Sequence, residues 1–376
     1  MKFVHLSDLH IGKRVNEFSM LKDQKYILDE IVRIIKEQKV DGVVIAGDIY
    51  DKPVPSAEAV QLFDLFLTKL ADLNLSVFII SGNHDSAERI AFGKELMRSR
   101  KVYVSSVFDG KIEPVVLSDD YGEVAFYLVP FIKPAYVRHA YLEEKAETYN
   151  EAFQRIMEHL PIEDSRRNVM VAHQFVTGAL RCDSEEVSVG GMDNIDADLL
   201  KGFDYVALGH IHGPQNIIKD TIRYCGTPLK YSFSESRHKK SVTVVELKEK
   251  GNIQIDTIPL NPQKDMRELK GTYEELTALS FYKNTDTEDY IHITLTDEED
   301  IPDVLTKLRV IYPNIMKLDY DNTRTKTNRE MQEIENIESK SPMELFCDFY
   351  EQQNNQTLKE EQISFLEGLI ERIWEV

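Results

Sequence analysis

Length, composition and charge exclude several classes of protein. The 376 residues, 42% of them hydrophobic, are enough for a large core, and the lack of a long apolar run predicts no membrane span. A net charge of −20 argues against a protein that coats nucleic acid by bulk electrostatics. Cys182, Cys225 and Cys347 lack the spacing of a metal site, and the start resembles no signal peptide. We therefore expect reduced thiols and a cytoplasmic protein.

Helix-type and strand-type segments alternate over residues 1–259. Apolar residues on one helical face predict helices over 23–38, 56–73, 86–100 and 145–160. Short alternating segments at 121–129, 221–225 and 241–247 predict antiparallel strands. Helices that flank sheets of mixed strand direction favour a layered α/β architecture for this part of the chain.

The pattern changes after Pro259. Residues 290–296 and 315–320 predict strands and 301–311 a helix, which together indicate a small α+β module at 260–325. A polar linker is predicted at 326–340. Two amphipathic helices without an obvious core of their own are predicted within 341–376.

Five blocks of potential metal ligands each stand at the C-terminal end of a strand-type run. They are Asp8-Leu9-His10, Gly47-Asp48-Ile49-Tyr50-Asp51, Gly82-Asn83-His84-Asp85, Ala172-His173-Gln174 and Gly209-His210-Ile211-His212. One D-x-H pair is common by chance, but five coincident blocks are not. Carboxylate and amide oxygens mixed with imidazole nitrogens suit a pair of Mn²⁺-like ions in a hydrolytic enzyme.

The predicted ligands divide between two ions. Asp48 would bridge them, with Asp8, His10 and His212 on one ion and Asn83, His173 and His210 on the other. Residues two apart at a strand end point to the same side, so both histidines of the fifth block can face the site. Two ions about 3.5–4 Å apart would activate a water and hold phosphate oxygens for in-line attack.

His84 and Asp51 are the predicted catalytic residues. His84 directly follows a ligand and would point differently, so we assign it to transition-state stabilisation and proton delivery to the leaving oxygen. Asp51 could hydrogen-bond to His84 and favour its charged form. The alternative, that Asp51 is a cap or turn residue, stays open.

The order and spacing of the blocks resemble those of the calcineurin-like metallophosphoesterases. Residues 226–235 (GTPLKYSFSE), followed by HKKSV at 238–242, resemble the SbcD family more narrowly, and VPFIKP at 129–134 fits it too. The resemblance covers the first 260 residues, and the following module fits in position and size only. It implies a four-layer αββα metallophosphoesterase sandwich with a small α+β capping domain and C-terminal helices.

The resemblance also implies an activity and partners. Members are Mn²⁺-dependent DNA nuclease subunits, acting as double-strand 3′–5′ exonuclease and single-strand or hairpin endonuclease in DNA repair, recombination and replication. They act with an SMC-type ATPase, SbcC, and in this chain 341–376 would bind that partner. This sequence has no G-x-x-x-x-G-K-[ST], so no ATP site is predicted here. Asp51 stands where archaeal members carry a histidine.

A homodimer is expected through the helices that begin near Ser56 and Ser86. The first helix carries apolar residues over more than the stripe that one core-facing helix needs. Burial of that helix within the monomer is the alternative. The resemblance points to pairing at the same place.

Two other functions remain open. A small-molecule or nucleotide phosphodiesterase would account for the five blocks but not for the extra module or the terminal helices. A metal-free scaffold on a decayed phosphoesterase fold is the other, and the complete ligand set argues against it. Basic clusters at 89–101 and 237–240 are either nucleic-acid contacts or solvated surface.

Overall fold

A computed structural model describes residues 1–142, 146–185 and 193–323. Beyond them it describes the isolated residues Met343, Phe346, Cys347, Tyr350, Leu358, Gln362, Ile363 and Leu366. The predicted linker at 326–340 lies outside the described residues, and so do the predicted terminal helices except at those isolated positions. None of the described helices combines the length and apolarity needed to cross a bilayer.

Strands and helices alternate through the described ranges. The strands, β1 to β19 in chain order, are Lys2–Leu6, Arg14–Val15, Phe18–Ser19, Gly42–Ala46, Ser76–Ile80, Val102–Val104, Val115–Asp119, Gly122–Val129, Arg167–His173, Phe175–Val176, Asn194–Ile195, Tyr205–Gly209, Gln215–Ile217, Lys219–Tyr224, Ser241–Leu247, Ile253–Pro259, Met266–Gly271, Tyr290–Leu295 and Ile315–Tyr320. The α-helices, α1 to α9, are Leu21–Gln38, Ala57–Asp72, Ala87–Ile90, Lys94–Arg98, Pro134–Ala140, Tyr149–His159, Tyr273–Thr277, Leu279–Tyr282 and Val304–Arg309. Short 3₁₀ turns cover Ala197–Leu200 and Phe233–Glu235.

Two six-stranded mixed sheets form the centre of the molecule. Their strand orders are β16-β15-β1-β4-β5-β6 and β13-β14-β12-β9-β8-β7. The prediction of antiparallel strands at 121–129 and 221–225 was incomplete, because β8 pairs parallel with β9 and β14 pairs parallel with β12. Each also has one antiparallel neighbour, and β15 is antiparallel on both sides. Alternation reports which face of a strand is buried and does not fix the direction of its neighbours.

The sheets pack face to face and helices cover their outer faces. Phe78 of β5 stacks on Phe126 of β8 with ring centroids 4.0 Å apart, which closes the core between the sheets. Helices α1 and α2 pack on the outer face of the first sheet, and α6 packs on that of the second. Apolar faces of helices and sheets bury each other in this way in layered proteins. The four-layer αββα sandwich expected from the sequence is confirmed.

Local signals explain where the helices begin and end. The Ser56 hydroxyl accepts a hydrogen bond from the Ala59 amide at 3.3 Å and starts α2, as the sequence predicts. The helix predicted at 86–100 is instead two short helices, α3 and α4, because Gly93 adopts a left-handed φ of 73° between them. Thr148 and Glu151 form a capping box, so α6 begins at Tyr149, later than predicted.

The module after Pro259 contains a three-stranded sheet in the order β17-β18-β19, all parallel. Leu276, Ile293, Leu308 and Tyr312 form its own buried core. The first strand, β17, was not predicted, because its alternating charged residues leave little apolar signal. The Tyr290 hydroxyl donates to Asp23 of α1 at 2.8 Å, which ties the module to the sandwich.

Candidate metal centre

The five predicted blocks converge at one edge of the sandwich. Strands β1, β4 and β5 are parallel neighbours, so the loops that follow them lie side by side. Strands β9 and β12 are parallel neighbours in the second sheet and end at the same edge. His173 Nδ1 lies 2.8 Å from the Ala46 carbonyl oxygen, and the His210 amide donates to Asp8 Oδ1 at 2.9 Å. These two bonds join the strand ends of the two sheets.

Several ligand candidates have an unusual backbone conformation. Asp8, His10, Asp48 and His210 all have positive φ, at 53°, 43°, 50° and 103°. Such conformations cost roughly 1–3 kcal/mol each and cluster at functional sites. The Asp8 amide donates to the Gly47 carbonyl at 3.0 Å and the His10 amide to the Asp48 carbonyl at 2.9 Å. The sharp turns are thus held by bonds between the first two blocks.

Two glycines allow the close approach of the blocks. A Cβ atom on Gly82 would lie 2.1 Å from Asp48 Oδ1, and one on Gly209 would lie 1.9 Å from the Ala46 carbonyl oxygen. Neither position can accept a side chain without moving the site. The close approach of the blocks therefore explains why glycine precedes Asn83 and His210.

The side chains meet in pairs of potential ligand atoms. His10 Nε2 and His212 Nε2 are 3.1 Å apart. Asn83 Oδ1 lies 3.0 Å from His173 Nε2 and 2.9 Å from His210 Nδ1. These contacts bring His10 to His212, and Asn83 to both His173 and His210.

Asp48 lies between the two groups. Its Oδ2 is 3.7 Å from His10 Nε2 and 3.3 Å from His173 Nε2, and its Oδ1 accepts the His84 amide at 2.9 Å. The sets whose ligand atoms all lie within 4.8 Å of one another are Asp8, His10 and His212; Asp8, Asp48 and His173; and His10, Asp48 and His84. Asp8, His10 and Asp48 thus each belong to two sets, which suits a pair of neighbouring cations.

The donor chemistry fits divalent cations. Among the seven predicted ligands only Asn83 is not buried. His10 Nδ1 is buried without a hydrogen-bond partner within the described residues, and two imidazole nitrogens face each other across 3.1 Å. Buried nitrogen and oxygen atoms normally have partners, so a site with converging lone pairs indicates a cation.

Burial sets the charge balance of the site. Burial raises the pKa of Asp8 to about 8, opposed by His173. Burial also acts to raise the pKa of Asp48, but His173 outweighs it and holds the value well below the usual range. The pKa of His173 rises to about 9 because Asp48 overcomes desolvation, whereas burial lowers that of His210 to about 3. Bound cations would replace the protons that balance this charge.

His84 lies beside the predicted ligands. Its ring centroid is 4.8 Å from that of His10, and its Nδ1 is 3.1 Å from the Asp51 main-chain oxygen. The Asp51 carboxylate is 2.9 Å from Lys13 Nζ. The contact between His84 and Asp51 that the structure describes is made by the main-chain oxygen of Asp51, and the Asp51 carboxylate pairs with Lys13. The Asp51 amide bonds to the Ile11 carbonyl at 3.3 Å, which helps to set this orientation.

Asp85 is a functional residue that the sequence analysis left without a role. Its carboxylate accepts the amides of Ile49, Tyr50 and Gly82 at 3.1, 3.0 and 3.0 Å. These hydrogen bonds connect the third block, which contains Asp85, to the second block. Burial raises its pKa to about 6, with Asp48 adding to the rise. Its position at the end of the block Gly82-Asn83-His84-Asp85 was the sequence feature that could have indicated this role.

The sequence analysis also did not predict which residues surround His212. Ser184, Glu185, Glu235 and Lys240 all contact it or its neighbours. Lys240 is 6% exposed and paired with Glu235, so it does not belong to a basic surface with Arg237 and Lys239, as the sequence suggested. The segment at 226–242 carried the resemblance, but nothing in it indicated a contact with the metal centre.

Two known families and two named relatives match this chain over most of its length. The calcineurin-like phosphoesterase family matches residues 1–214, and the type 5 capsule protein repressor C-terminal domain matches 262–354. The SbcD chain of the nuclease SbcCD from Staphylococcus epidermidis is 31% identical over 374 residues, 98% of each chain. That of Staphylococcus saprophyticus is 32% identical and covers 89% of this chain and 90% of its own. A solved dimetal phosphatase from Danio rerio covers 69% of this chain and 99% of its own, with 14% identity and a TM-score of 0.43.

Proposed function

The chain belongs to the calcineurin-like phosphoesterase family and, within it, to the SbcD nuclease subunits, and on that premise we propose that it is a Mn²⁺-dependent DNA nuclease. The observation that carries the proposal is the convergence of six ligand-type side chains around Asp48. A phosphodiester substrate fits a site of this kind, because two cations stabilise both the attacking and the leaving oxygen.

Each site residue has a role in this proposal. Asp8, His10 and His212 would hold one cation, Asn83, His173 and His210 would hold the other, and the Asp48 carboxylate would serve both. When bound, the cations supply Lewis acidity and lower the pKa of a water. Imidazole mixed with hard oxygen ligands suits Mn²⁺.

His84 supplies the proton for the leaving oxygen. In the charged imidazole both ring nitrogens donate, so Nδ1 can bond to the Asp51 carbonyl while the other nitrogen gives up its proton. The main-chain contact orients the ring without adding a second negative charge. Asp51 is then a positioning residue, and its carboxylate fixes Lys13 beside the site.

A basic surface for DNA lies next to this site despite the acidic net charge. An open cavity of about 820 Å³ separates the sandwich from the module of β17–β19, and four basic residues, Lys13, Arg14, Arg237 and Lys317, line it together with the acidic Asp183 and Glu268. Ser184, which contacts His212, lines it too. Local positive charge of this kind binds the phosphate backbone. The cavity thus offers a substrate path to the metal centre.

The assembly is part of the same proposal. We divide the chain into a nuclease domain at 1–259, a capping domain at 260–325, a linker at 326–340 and ATPase-binding helices at 341–376. The relatives are named as one subunit of the nuclease SbcCD, which supports an SbcC-type SMC partner. Such a protein acts in the cytoplasm, at the nucleoid, in DNA repair, recombination and replication.

Removal of residues after Ser339 tests the partner assignment. The shortened chain should lose most of its binding to the SMC-type ATPase in a co-purification assay. Its Mn²⁺ binding and its basal cleavage of single strands should stay unchanged. Undiminished stoichiometry with the partner would contradict this role of the tail.

The activity itself is tested with two substrates. The full-length chain is incubated with a labelled DNA hairpin or with a chromogenic phosphodiester, in Mn²⁺ and in EDTA. The proposal predicts Mn²⁺-dependent cleavage of the hairpin. Hydrolysis of the chromogenic ester with an intact hairpin would instead indicate a small-molecule or nucleotide phosphodiesterase.

A further inference from the structure

The ring of His212 makes a hydrogen bond through Nδ1, on the side away from the metal centre. His212 Nδ1 lies 2.7 Å from Ser184 Oγ, and Ser184 Oγ lies 2.6 Å from Glu235 Oε1. Lys240 Nζ lies 2.5 Å from Glu235 Oε2. We propose that Ser184, Glu235 and Lys240 form a hydrogen-bonded relay that positions His212 as a metal ligand. The proposal rests on the metal centre described above.

The direction of each bond follows from the protons available. A nitrogen that binds a cation must offer its lone pair, so the other ring nitrogen must carry the proton. His212 Nε2 faces the site, 3.1 Å from His10 Nε2, and Nδ1 must therefore donate to Ser184. The Ser184 hydroxyl then donates to the carboxylate of Glu235. One tautomer of His212 satisfies the whole relay.

Lys240 fixes the far end of the relay. Its ammonium group donates to Glu235 Oε2, to the His212 carbonyl at 2.9 Å and to Thr227 Oγ1 at 2.6 Å, which uses all three of its protons. Glu235 is fully buried and Lys240 is 6% exposed. A buried carboxylate without a partner is strongly unfavourable, so the ion pair keeps Glu235 ionised and in place.

Every polar group of His212 except Nε2 is thereby anchored. Its amide donates to Glu185 Oε1 at 2.6 Å, its carbonyl accepts from Lys240, and its Nδ1 donates to Ser184. The remaining atom faces His10. Rotation of the ring would break the bond to Ser184, so the relay sets the direction of the lone pair.

His173 provides a contrast within the same site. Its Nδ1 bonds to a neutral main-chain carbonyl, that of Ala46, at 2.8 Å. The relay of His212 instead ends on an ionised carboxylate, which makes the ligand nitrogen more basic. We therefore expect the cation held by Asp8, His10 and His212 to depend on Ser184 and Glu235. The cation held by His173 and His210 should not.

A Mn²⁺ titration of the full-length chain, which gives the number of bound ions and the affinity for each, tests the relay. Free Mn²⁺ is measured by electron paramagnetic resonance for wild type, Ser184→Ala, Ser184→Thr and Glu235→Gln. Ser184 is only half-buried, so Ser184→Ala should fold even if Glu235→Gln does not. The matched control is Thr243→Val, which removes a fully buried hydroxyl of β15 that accepts a hydrogen bond from Arg223 of β14.

We expect two Mn²⁺ ions per wild-type chain. Ser184→Ala and Glu235→Gln should weaken the binding of one ion about 10- to 100-fold and leave the affinity for the other ion unchanged. Ser184→Thr, which keeps the hydroxyl, and Thr243→Val should bind both ions as wild type does. Equal affinities for both ions in Ser184→Ala and wild type would overturn the relay alone. A wild-type chain that binds no Mn²⁺ would overturn the metal centre as well.

Discussion

The Nε2 atoms of His10 and His212 lie 3.1 Å apart, although 202 residues separate them in the sequence. His10 follows β1 of the first sheet, and His212 follows β12 of the second. Two imidazole nitrogens at this distance must share either a proton or a cation. Their buried position, with Asp8 and Asp48 beside them, favours a cation. The contact shows that the site exists only when both sheets are packed together.

Replacement of His84 by alanine should separate cleavage from metal binding. The Asp48 carboxylate accepts the main-chain amide of His84, and the substitution keeps that bond. Both cations should therefore still bind, while DNA cleavage falls about 10²-fold or more, the usual scale for a general acid. Parallel Mn²⁺ titration and hairpin cleavage measure the two effects. Near wild-type cleavage would make His84 merely structural.

Asp51→Asn distinguishes the main-chain contact of Asp51 with His84 from the contacts of its carboxylate, which lies near Lys13 and 3.9 Å from His10 Nδ1. The variant keeps the carbonyl that bonds to His84 and loses the ion pair with Lys13. We expect kcat to stay within about tenfold of wild type, far above that of His84→Ala, because the orientation of the proton donor is preserved. Lys13→Met is the matched control and should resemble Asp51→Asn. A kcat as low as that of His84→Ala would instead indicate that the carboxylate acts on His84.

The homodimer expected from the sequence would form through the exposed face of α2. Ala59, Phe63, Phe66 and Leu70 are buried in the monomer, so part of the apolar stripe has the intramolecular role considered as the alternative. Val60 and Leu65 remain 44% and 53% exposed, and exposed apolar patches mark interaction sites.

The variant Val60→Glu/Leu65→Glu should therefore be monomeric by light scattering at micromolar concentration, with unchanged Mn²⁺ binding. Val310→Glu places the same charge at an exposed position outside the proposed interface and should stay dimeric. A monomeric wild type, or a dimeric double variant, would contradict this interface.

Acid stability should depend on Asp119. Burial acts to raise its pKa, but hydrogen bonds from Arg167 and the Met1 ammonium outweigh burial and hold it well below the usual range. Because the folded-state pKa is lowered, the stabilisation is complete above about pH 4 and is lost as pH falls towards the folded-state value. Asp119→Asn leaves the buried Arg167 without its charged partner, while Arg167 keeps its bonds to main-chain carbonyls, and should lower the free energy of unfolding at pH 7 by about 1–3 kcal/mol.

Urea unfolding between pH 7 and pH 2 measures this effect. The difference between wild type and Asp119→Asn should shrink as the pH falls below about 4. The adjacent Asp120, which is exposed, provides the control, and Asp120→Asn should change little at any pH. A difference that is constant with pH would contradict the assignment.

The sequence predicted the strand ends well because each block follows a strongly apolar strand. Parallel strands bring their carboxyl ends to one edge, so Asp8, Asp48, Asn83 and His173 could be grouped without coordinates. The sequence could not show which atom of Asp51 meets His84, because that depends on main-chain dihedral angles. It could place the residues near each other but not orient them.

Long-range contacts were the part that the sequence did not reveal. Ser184 and Glu235 are 51 residues apart, and Ser184 and His212 are 28 apart, so no local periodicity connects them. Burial of Lys240 was hidden for the same reason: it stands in a basic run, and only the fold places Glu235 against it. Strand β17 carries too little apolar signal to be recognised before its neighbour β18 is known.

The most direct test of the account is the position of Mn²⁺ in crystals of the full-length chain. Anomalous difference density should show two peaks about 3.5–4 Å apart, with Asp48 between them. Asp48→Ala should lose at least one peak and lower cleavage by at least about 10³-fold, because a bound cation contributes several kcal/mol to the transition state. Wild-type crystals soaked in Mn²⁺ without anomalous density at Asp8, Asp48 and His173 would contradict the central claim.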